Sequence, residues 1–465
     1  MLRSFRVANH KSIRAAQELV LLPAYDKSRP VTPVAAIYGA NASGKSNLLD
    51  ALTWMRRAVL DSFASWTSGG GVPRAAFKLD PEAAVEPSEY VVDLMLDGVR
   101  HYYGFVVEDA GVGEEWLHTF PKGRRRVIFE RTGQDWQFGS TVRGPLEAAR
   151  DLTRSNALFL SVAARSNVTE CEPLLRWFDQ ELVFADPRSS FDPDVELAFA
   201  DDSPLRQTVL EMLRAADLGI TDVRLMDPLA VSGVSDFSVW RDMLMDRLDA
   251  AVRQHAEAVS ARDAESDLAV RARHQVHVAS ADEEVAVLRD MLDRVNRQVH
   301  GVPNHPGPRE LLFWHGDHPV PLTVDEESAG TRTWLNLILS IATALARPKV
   351  LLVDEADTTL HPHLARHLVN LFRDPRTNPL GAQLIFTSHD ATMLDEDTLS
   401  RDEIWFVEKD PTAQATRLYS LAEFRPRKHE NTERRYLAGS YGAVPVLSEV
   451  GLRRALARGT DPDAA

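Results

Sequence analysis

Cysteine is almost absent from this chain. Of 465 residues only Cys171 carries a thiol, so no internal disulfide can form and a reducing compartment, the cytoplasm, is expected. Long apolar runs are missing as well: none approaches the roughly 20 residues needed to cross a bilayer. The opening Met1-Leu-Arg-Ser-Phe-Arg-Val7 alternates too early for a secretory leader, so no membrane role is expected. Positive charge is in deficit. The 53 Lys and Arg face 68 Asp and Glu, a net charge of −15, which argues against nonspecific coating of nucleic acid and leaves room only for a local basic patch. No fixed-period repeat is visible. What remains is ordinary: 44% hydrophobic and 26% charged residues suit a chain with a sizeable core, and exclude disorder and a disulfide scaffold. The length fits about two to four domains, or one large domain carrying an insertion.

Short apolar runs at Phe5–Val7, Leu19–Leu21 and Val34–Tyr38 predict strands. Over 47–60 the spacing turns helical, with Leu48, Leu49, Leu52, Met55 and Val59 on one face. The stretch 62–73 contains Ser68-Gly-Gly-Gly71 and predicts a mobile surface loop. Between Tyr90 and Phe138, apolar runs separated by short turns predict an antiparallel meander. Residues 171–305 are rich in Ala, Arg, Asp and Glu, and helical spacing recurs at Leu244, Leu248, Val252 and at Val285, Leu288, Leu292, Val295. They predict a mostly helical insertion, in which Val270–Val278 alternates like a strand. Strand and helix alternate again from Leu311 to about Tyr419, and a polar, Arg-rich tail follows.

Four motifs carry chemistry. Gly39-Ala-Asn41-Ala-Ser43-Gly44-Lys45-Ser46 fits G-x-x-x-x-G-K-[ST] after an apolar strand and before an amphipathic helix. Its glycines let backbone N–H groups turn inward, and the helix N-terminus, with Asn47 in its first turn, adds positive dipole for phosphate oxygens. Lys45 is placed to reach β- and γ-phosphates, and Ser46 to offer a hydroxyl to Mg²⁺. Second, Val350-Leu-Leu-Val-Asp354-Glu355 ends an apolar strand in two carboxylates. Asp354 suits Mg²⁺ and Glu355 suits a general base acting on water. Third, Ser328-Ala-Gly330 opens a helix rich in apolar residues, which forms either another anion site or a plain cap. Fourth, Gln383-Leu-Ile-Phe-Thr-Ser-His389 ends a strand in an imidazole suited to the γ-phosphate or the attacking water. Weaker groupings are read blandly. His363 and His367 lack a third nearby ligand, Asp395-Glu-Asp397 reads as a helix cap, and Arg124-Arg-Arg126 reads as a solvated hairpin turn.

The order of these motifs resembles the OLD-like and SMC-like ABC ATPases of prokaryotic antiphage defence. It is most similar to the ATPase subunit of the two-component AbiLi/RloA type, with the PARIS AriA-like ATPases as relatives. Thr153–Leu160, Asp402–Lys409 and Arg434–Pro445 strengthen that likeness, which is thin across 171–305. The resemblance implies an α/β, ABC-type P-loop head: a mixed sheet with an antiparallel meander, split by the insertion. Residues 1–170 would form one lobe, 306–420 the other, and 421–465 a tail that contacts a partner. It implies ATP and Mg²⁺, a homodimer or higher even oligomer through shared ATP sites, and Ser328, Gly330 and Asp357 acting on nucleotide or on the opposite protomer. It places Asn9-His-Lys-Ser12 beside the base or sugar. The implied function is ATP hydrolysis as a conformational switch for a RloB-like TOPRIM nuclease, with nucleic acid or a phage protein as trigger. A PARIS-type sensor that sequesters its nuclease is one rival; an SMC-like DNA-repair ATPase is another, disfavoured because 171–305 is too short and too broken for the long heptad coiled coil it needs. One departure stands: Arg165 occupies the stretch where an interlobe glutamine is expected.

Overall fold

The computed structural model describes residues 1–185, 203–216, 218–226, 237–264, 268–299, 309–318, 320–357, 361–427 and 430–445, together with Val195, Ala198 and Phe199. In chain order the strands are β1 (Leu2–Ala8), β2 (Gln17–Val20), β3 (Val34–Tyr38), β4 (Ser88–Leu96), β5 (Val99–Val107), β6 (Val112–Phe120), β7 (Arg126–Thr132) and β8 (Asp135–Phe138). They continue as β9 (Leu182–Ala185), β10 (Ile220–Met226), β11 (Glu310–His315), β12 (Leu322–Thr323), β13 (Val350–Val353), β14 (Gln383–Ser388), β15 (Ile404–Lys409) and β16 (Thr416–Ser420).

The described residues fall into two compact units. The first is Met1–Ala198, Pro204–Leu218 and Ser328–Ala465; the second is Phe199–Ser203 with Gly219–Glu327. These divisions lie away from the boundaries at 171 and 305 read from composition. Within the first unit, β2-β1-β4-β5-β6-β7-β8 form the expected antiparallel meander. A second sheet, in the order β16-β15-β3-β14-β13-β9, is parallel from β15 to β9 and antiparallel only at β16. Strands β3, β13 and β14 are buried at every position, as a parallel sheet covered on both faces requires. This is the α/β, mixed-sheet P-loop architecture that the motifs imply.

The helix Lys45–Ser65 follows β3 and buries Leu48, Leu49, Leu52, Met55 and Val59, the face its spacing marked. It runs on past Ser62, so the loop begins later than composition suggested. That loop is also tied down: Asn156 Nδ2 donates to Thr67 O at 2.9 Å and Gly71 O at 3.0 Å, and Arg154 donates to Trp66 O at 2.9 Å. The helix shares one apolar core with Phe5, Tyr90 and Phe105 of the meander and with Leu352, Ile385 and Val407 of the parallel sheet. Gln383, 1% exposed, stitches the sheets together. Its Oε1 accepts from Leu2 N at 2.6 Å and its Nε2 donates to Leu2 O at 2.8 Å.

The second unit contains β10, β11 and β12 and two long helices, Phe237–Ala264 and Leu268–Val299. The helices pack on each other through Leu244, Ala251, Val285 and Leu288. Val270–Val278 is therefore helix, not strand, because the run from Val278 through Val285 and Leu288 needs a helical stripe to meet its partner.

The described part of the tail packs on the chain's own head. Tyr436 and Tyr441, 5% and 2% exposed, stack on Phe406 of β15 with ring centroids 5.5 Å apart in both pairs. Tyr419 Oη donates to Tyr441 O at 2.7 Å. The aromatic anchors serve the chain's own head. The end of the tail, 446–465, lies outside the described residues.

Candidate functional site

Strand register alone brings three of the four motifs together. Parallel β3, β14 and β13 pair Tyr38 with Ser388 and Val353 with Phe386, so all three strands end at one edge. Gly39, His389 and Asp354 each begin just beyond that edge, the usual ligand side of an open parallel sheet. There lies a cleft of about 740 Å³ lined by Asn41, Ser43, Gly44, Lys45, Ser46, Asn47, Glu355, Asp357, His389 and, given no role by any motif, Lys409.

Close approach explains the two glycines. A Cβ on Gly39 would sit 2.2 Å from Val407 O and 2.8 Å from Ser43 Oγ. One on Gly44 would sit 2.1 Å from Thr416 Oγ1, and Gly44 also needs a φ of +109°. Thr416 Oγ1 donates to Ser43 O at 2.8 Å, and Asn47 Nδ2 donates to Ser12 Oγ at 2.6 Å, so the loop is clamped from β16 and from the turn after β1. Ser43 Oγ and Asp357 Oδ1 are buried with no hydrogen-bond partner among the described residues. A glycine-walled cradle with polar atoms left unsatisfied fits a phosphate chain and a divalent cation.

Lys45 Nζ bonds back to Gly39 O at 2.8 Å and lies 3.5 Å from His389 Nδ1. Burial pushes its pKa down to about 8, against the pull of Asp354 and then Asp357. Beyond β13, Thr387 organises both carboxylate residues: its Oγ1 donates to Asp354 Oδ1 at 2.6 Å and accepts from Glu355 N at 2.7 Å. Glu355 is held at φ +52°, a left-handed conformation that costs on the order of 1–3 kcal/mol in a non-glycine residue. His389 N donates to Asp357 Oδ2 at 2.8 Å.

Other expected residues stand elsewhere. Ser328 is exposed and caps its own helix, Ala329–Ala346, accepting from Thr331 N at 3.1 Å. Neither Ser328 nor Gly330 is among the described residues lining the cleft. Asn9 and His10 do not face it either. Asn9, 2% exposed, donates to Ala83 O and Glu86 O at 2.7 Å, and His10 bridges Tyr90 Oη and Asp50 at 2.8 Å. Only Ser12 of that quartet reaches the loop. Arg165, found in place of the expected glutamine, donates to Leu60 O at 2.8 Å and to Ser161 Oγ at 3.1 Å. Asp395 accepts from Thr398 N at 2.8 Å as a turn cap, and Arg125 and Arg126 pair with Glu130 and Glu170. Lys409 and Thr387 lie within quoted segments but were given no role by the motif reading. The signals for Lys409 were its place two residues after the apolar run Ile404–Val407 and its position at the end of the segment Asp402–Lys409.

No curated protein matches the chain. Among solved structures, one match is the Smc head domain with an extended coiled coil, bound to the C-terminal domain of ScpA and derived from Pyrococcus furiosus. It is 14% identical over 91% of this chain and 97% of that chain, with a TM-score of 0.38. A family model described as "AAA domain, putative AbiEii toxin, Type IV TA system" matches residues 34–395, from the strand before the P-loop to beyond His389. The chain belongs to this family of P-loop ATPase domains.

Proposed function

We propose that the chain is the ATP-hydrolysing subunit of a two-component antiphage, abortive-infection system, and that it switches a partner nuclease of the RloB-like TOPRIM type by dimerising around ATP. The observation that carries the ATPase reading is the convergence of Lys45, Glu355, Asp357 and His389 on one cleft at the strand ends. The family description, with its abortive-infection link, supports the defence setting. Ser46 and Asp354 would hold Mg²⁺, which when bound supplies charge neutralisation on the phosphate oxygens. Lys45 neutralises and orients the β- and γ-phosphates. Glu355 takes the proton from the attacking water, while His389 positions that water and registers the γ-phosphate. Exposed Ser328 and the Gly330 N–H, at a helix start, are offered to the nucleotide of a second protomer.

Glu355→Gln should keep ATP bound and lose turnover, whereas Lys45→Ala should lose binding itself. Wild-type turnover in Glu355→Gln would remove Glu355 as the base. The product of the adjoining reading frame should co-purify with the chain if the two-component reading holds. The paired helices Phe237–Ala264 and Leu268–Val299 favour, as a second reading, an SMC-like ATPase acting on DNA. DNA-stimulated ATPase activity without any partner would select it.

A further inference from the structure

The cleft holds a cation that no nucleotide-binding motif names. Lys409 is the last residue of β15, which runs parallel to β3 and pairs Phe406 with Tyr38. Its end therefore lies beside the P-loop, as the 2.2 Å from Val407 O to a Cβ on Gly39 also requires. Across the hairpin Lys409 faces Thr416. Directly opposed residues of an antiparallel pair share a face, with Cβ atoms about 4.5–5.5 Å apart. Thr416 on that face touches Ser43 and Gly44, so the Lys409 stem starts beside the middle of the loop. Glu408, one residue earlier, points the other way and accepts from Tyr419 Oη at 3.1 Å. Among the described residues, no carboxylate pairs with the Lys409 ammonium. Lys45 instead turns toward Gly39, Ala40 and His389. The two lysines thus reach the cleft from different sides. Backbone N–H groups of such a loop cradle the α- and β-phosphates, while its own lysine reaches the β- and γ-phosphates.

On the reading of this cleft as an ATP site, we propose that Lys409 is a nucleotide-binding residue directed at the α- and β-phosphates. It sets affinity for ADP and ATP alike and does not sense the γ-phosphate. The test is calorimetric titration of full-length protein with Mg-ADP and Mg-ATP, comparing wild type, Lys409→Met, Lys409→Arg and Lys45→Ala. Lys409→Met should weaken both nucleotides by about tenfold or more, the scale of one lost charge-assisted hydrogen bond, and by the same factor for each. Lys409→Arg should restore most of the loss, and the ligand-free melting temperature should stay at the wild-type value in both variants. Unchanged affinity in Lys409→Met overturns the assignment, as does a loss confined to ATP. A lowered ligand-free melting temperature with no rescue by arginine would make Lys409 a structural residue and also overturn it. If wild type binds neither nucleotide, the ATP-site reading falls as well; if wild type binds and Lys45→Ala does not, a negative result at Lys409 condemns this assignment alone.

Discussion

Thr387 shows how a residue with no chemistry of its own can fix the chemistry of two others. Its hydroxyl joins the Asp354 carboxylate to the Glu355 backbone, and Glu355 sits at positive φ. Thr387→Val keeps the shape and strips the hydroxyl, leaving a buried donor and a carboxylate oxygen without that partner. Stability should drop by about 1–3 kcal/mol, seen as a shifted urea midpoint. Turnover should fall by about 10–100-fold, as when a supporting partner is lost, while ATP affinity changes little. Lys45 gives a pH prediction. With its pKa lowered to about 8, the ligand-free ammonium begins to lose its proton above that value, whereas bound phosphate favours the charged form. ATP affinity should therefore hold below about pH 8 and weaken above it, by at most about tenfold per pH unit. Folding runs the opposite way: the unfolded lysine binds its proton more tightly, so this group adds stability as pH rises from about 8 toward 10.4. Proton uptake on ATP binding near pH 8, read by calorimetry in buffers of different ionisation enthalpy, checks the sign. The P-loop, the Asp354-Glu355 pair and His389 were legible because each follows an apolar strand at recognisable spacing. Thr387 was not, since a threonine inside a strand looks like any other until the neighbouring strand is known.

Elements were legible where a single period dominated. The P-loop helix and the meander formed as their spacing required. Val270–Val278 failed because alternate valines satisfy a strand pattern locally, while what decides the matter is packing against the preceding helix, Phe237–Ala264, which the local pattern does not show. In the tail, arginine and tyrosine anchor interfaces within a chain as readily as between chains, so composition alone did not show which. Tyr436 and Tyr441 fill the face of Phe406. Tyr441→Ala should therefore cost about 3 kcal/mol or more, as other large aromatic truncations do, and this should appear in chemical denaturation of the isolated chain. Deleting everything from Arg425 onward would expose that same face and lower the melting temperature, rather than cleanly removing a partner site.

The whole molecule, on our proposal, works only as a pair. Ser328 lies outside its own cleft's lining, so Ser328→Arg should bind ATP without turning it over, and Lys45→Ala should do neither. Mixed, the two should regain about one working site per heterodimer, because each supplies the half the other lacks. Full activity of Ser328→Arg alone, independent of protein concentration, would refute a shared site. The parallel sheet also has a consequence for how the chain is made. Strand β3 leaves the ribosome early, yet both of its neighbours, β14 and β15, are encoded about 350 residues later; at 5–20 residues per second that is a wait of roughly 20–70 s. Throughout that interval a fully apolar strand has no partner, so the nascent chain is most prone to aggregate before its nucleotide site can exist, and slow translation or scarce chaperones should cut the yield of folded protein sooner than an active-site mutation does.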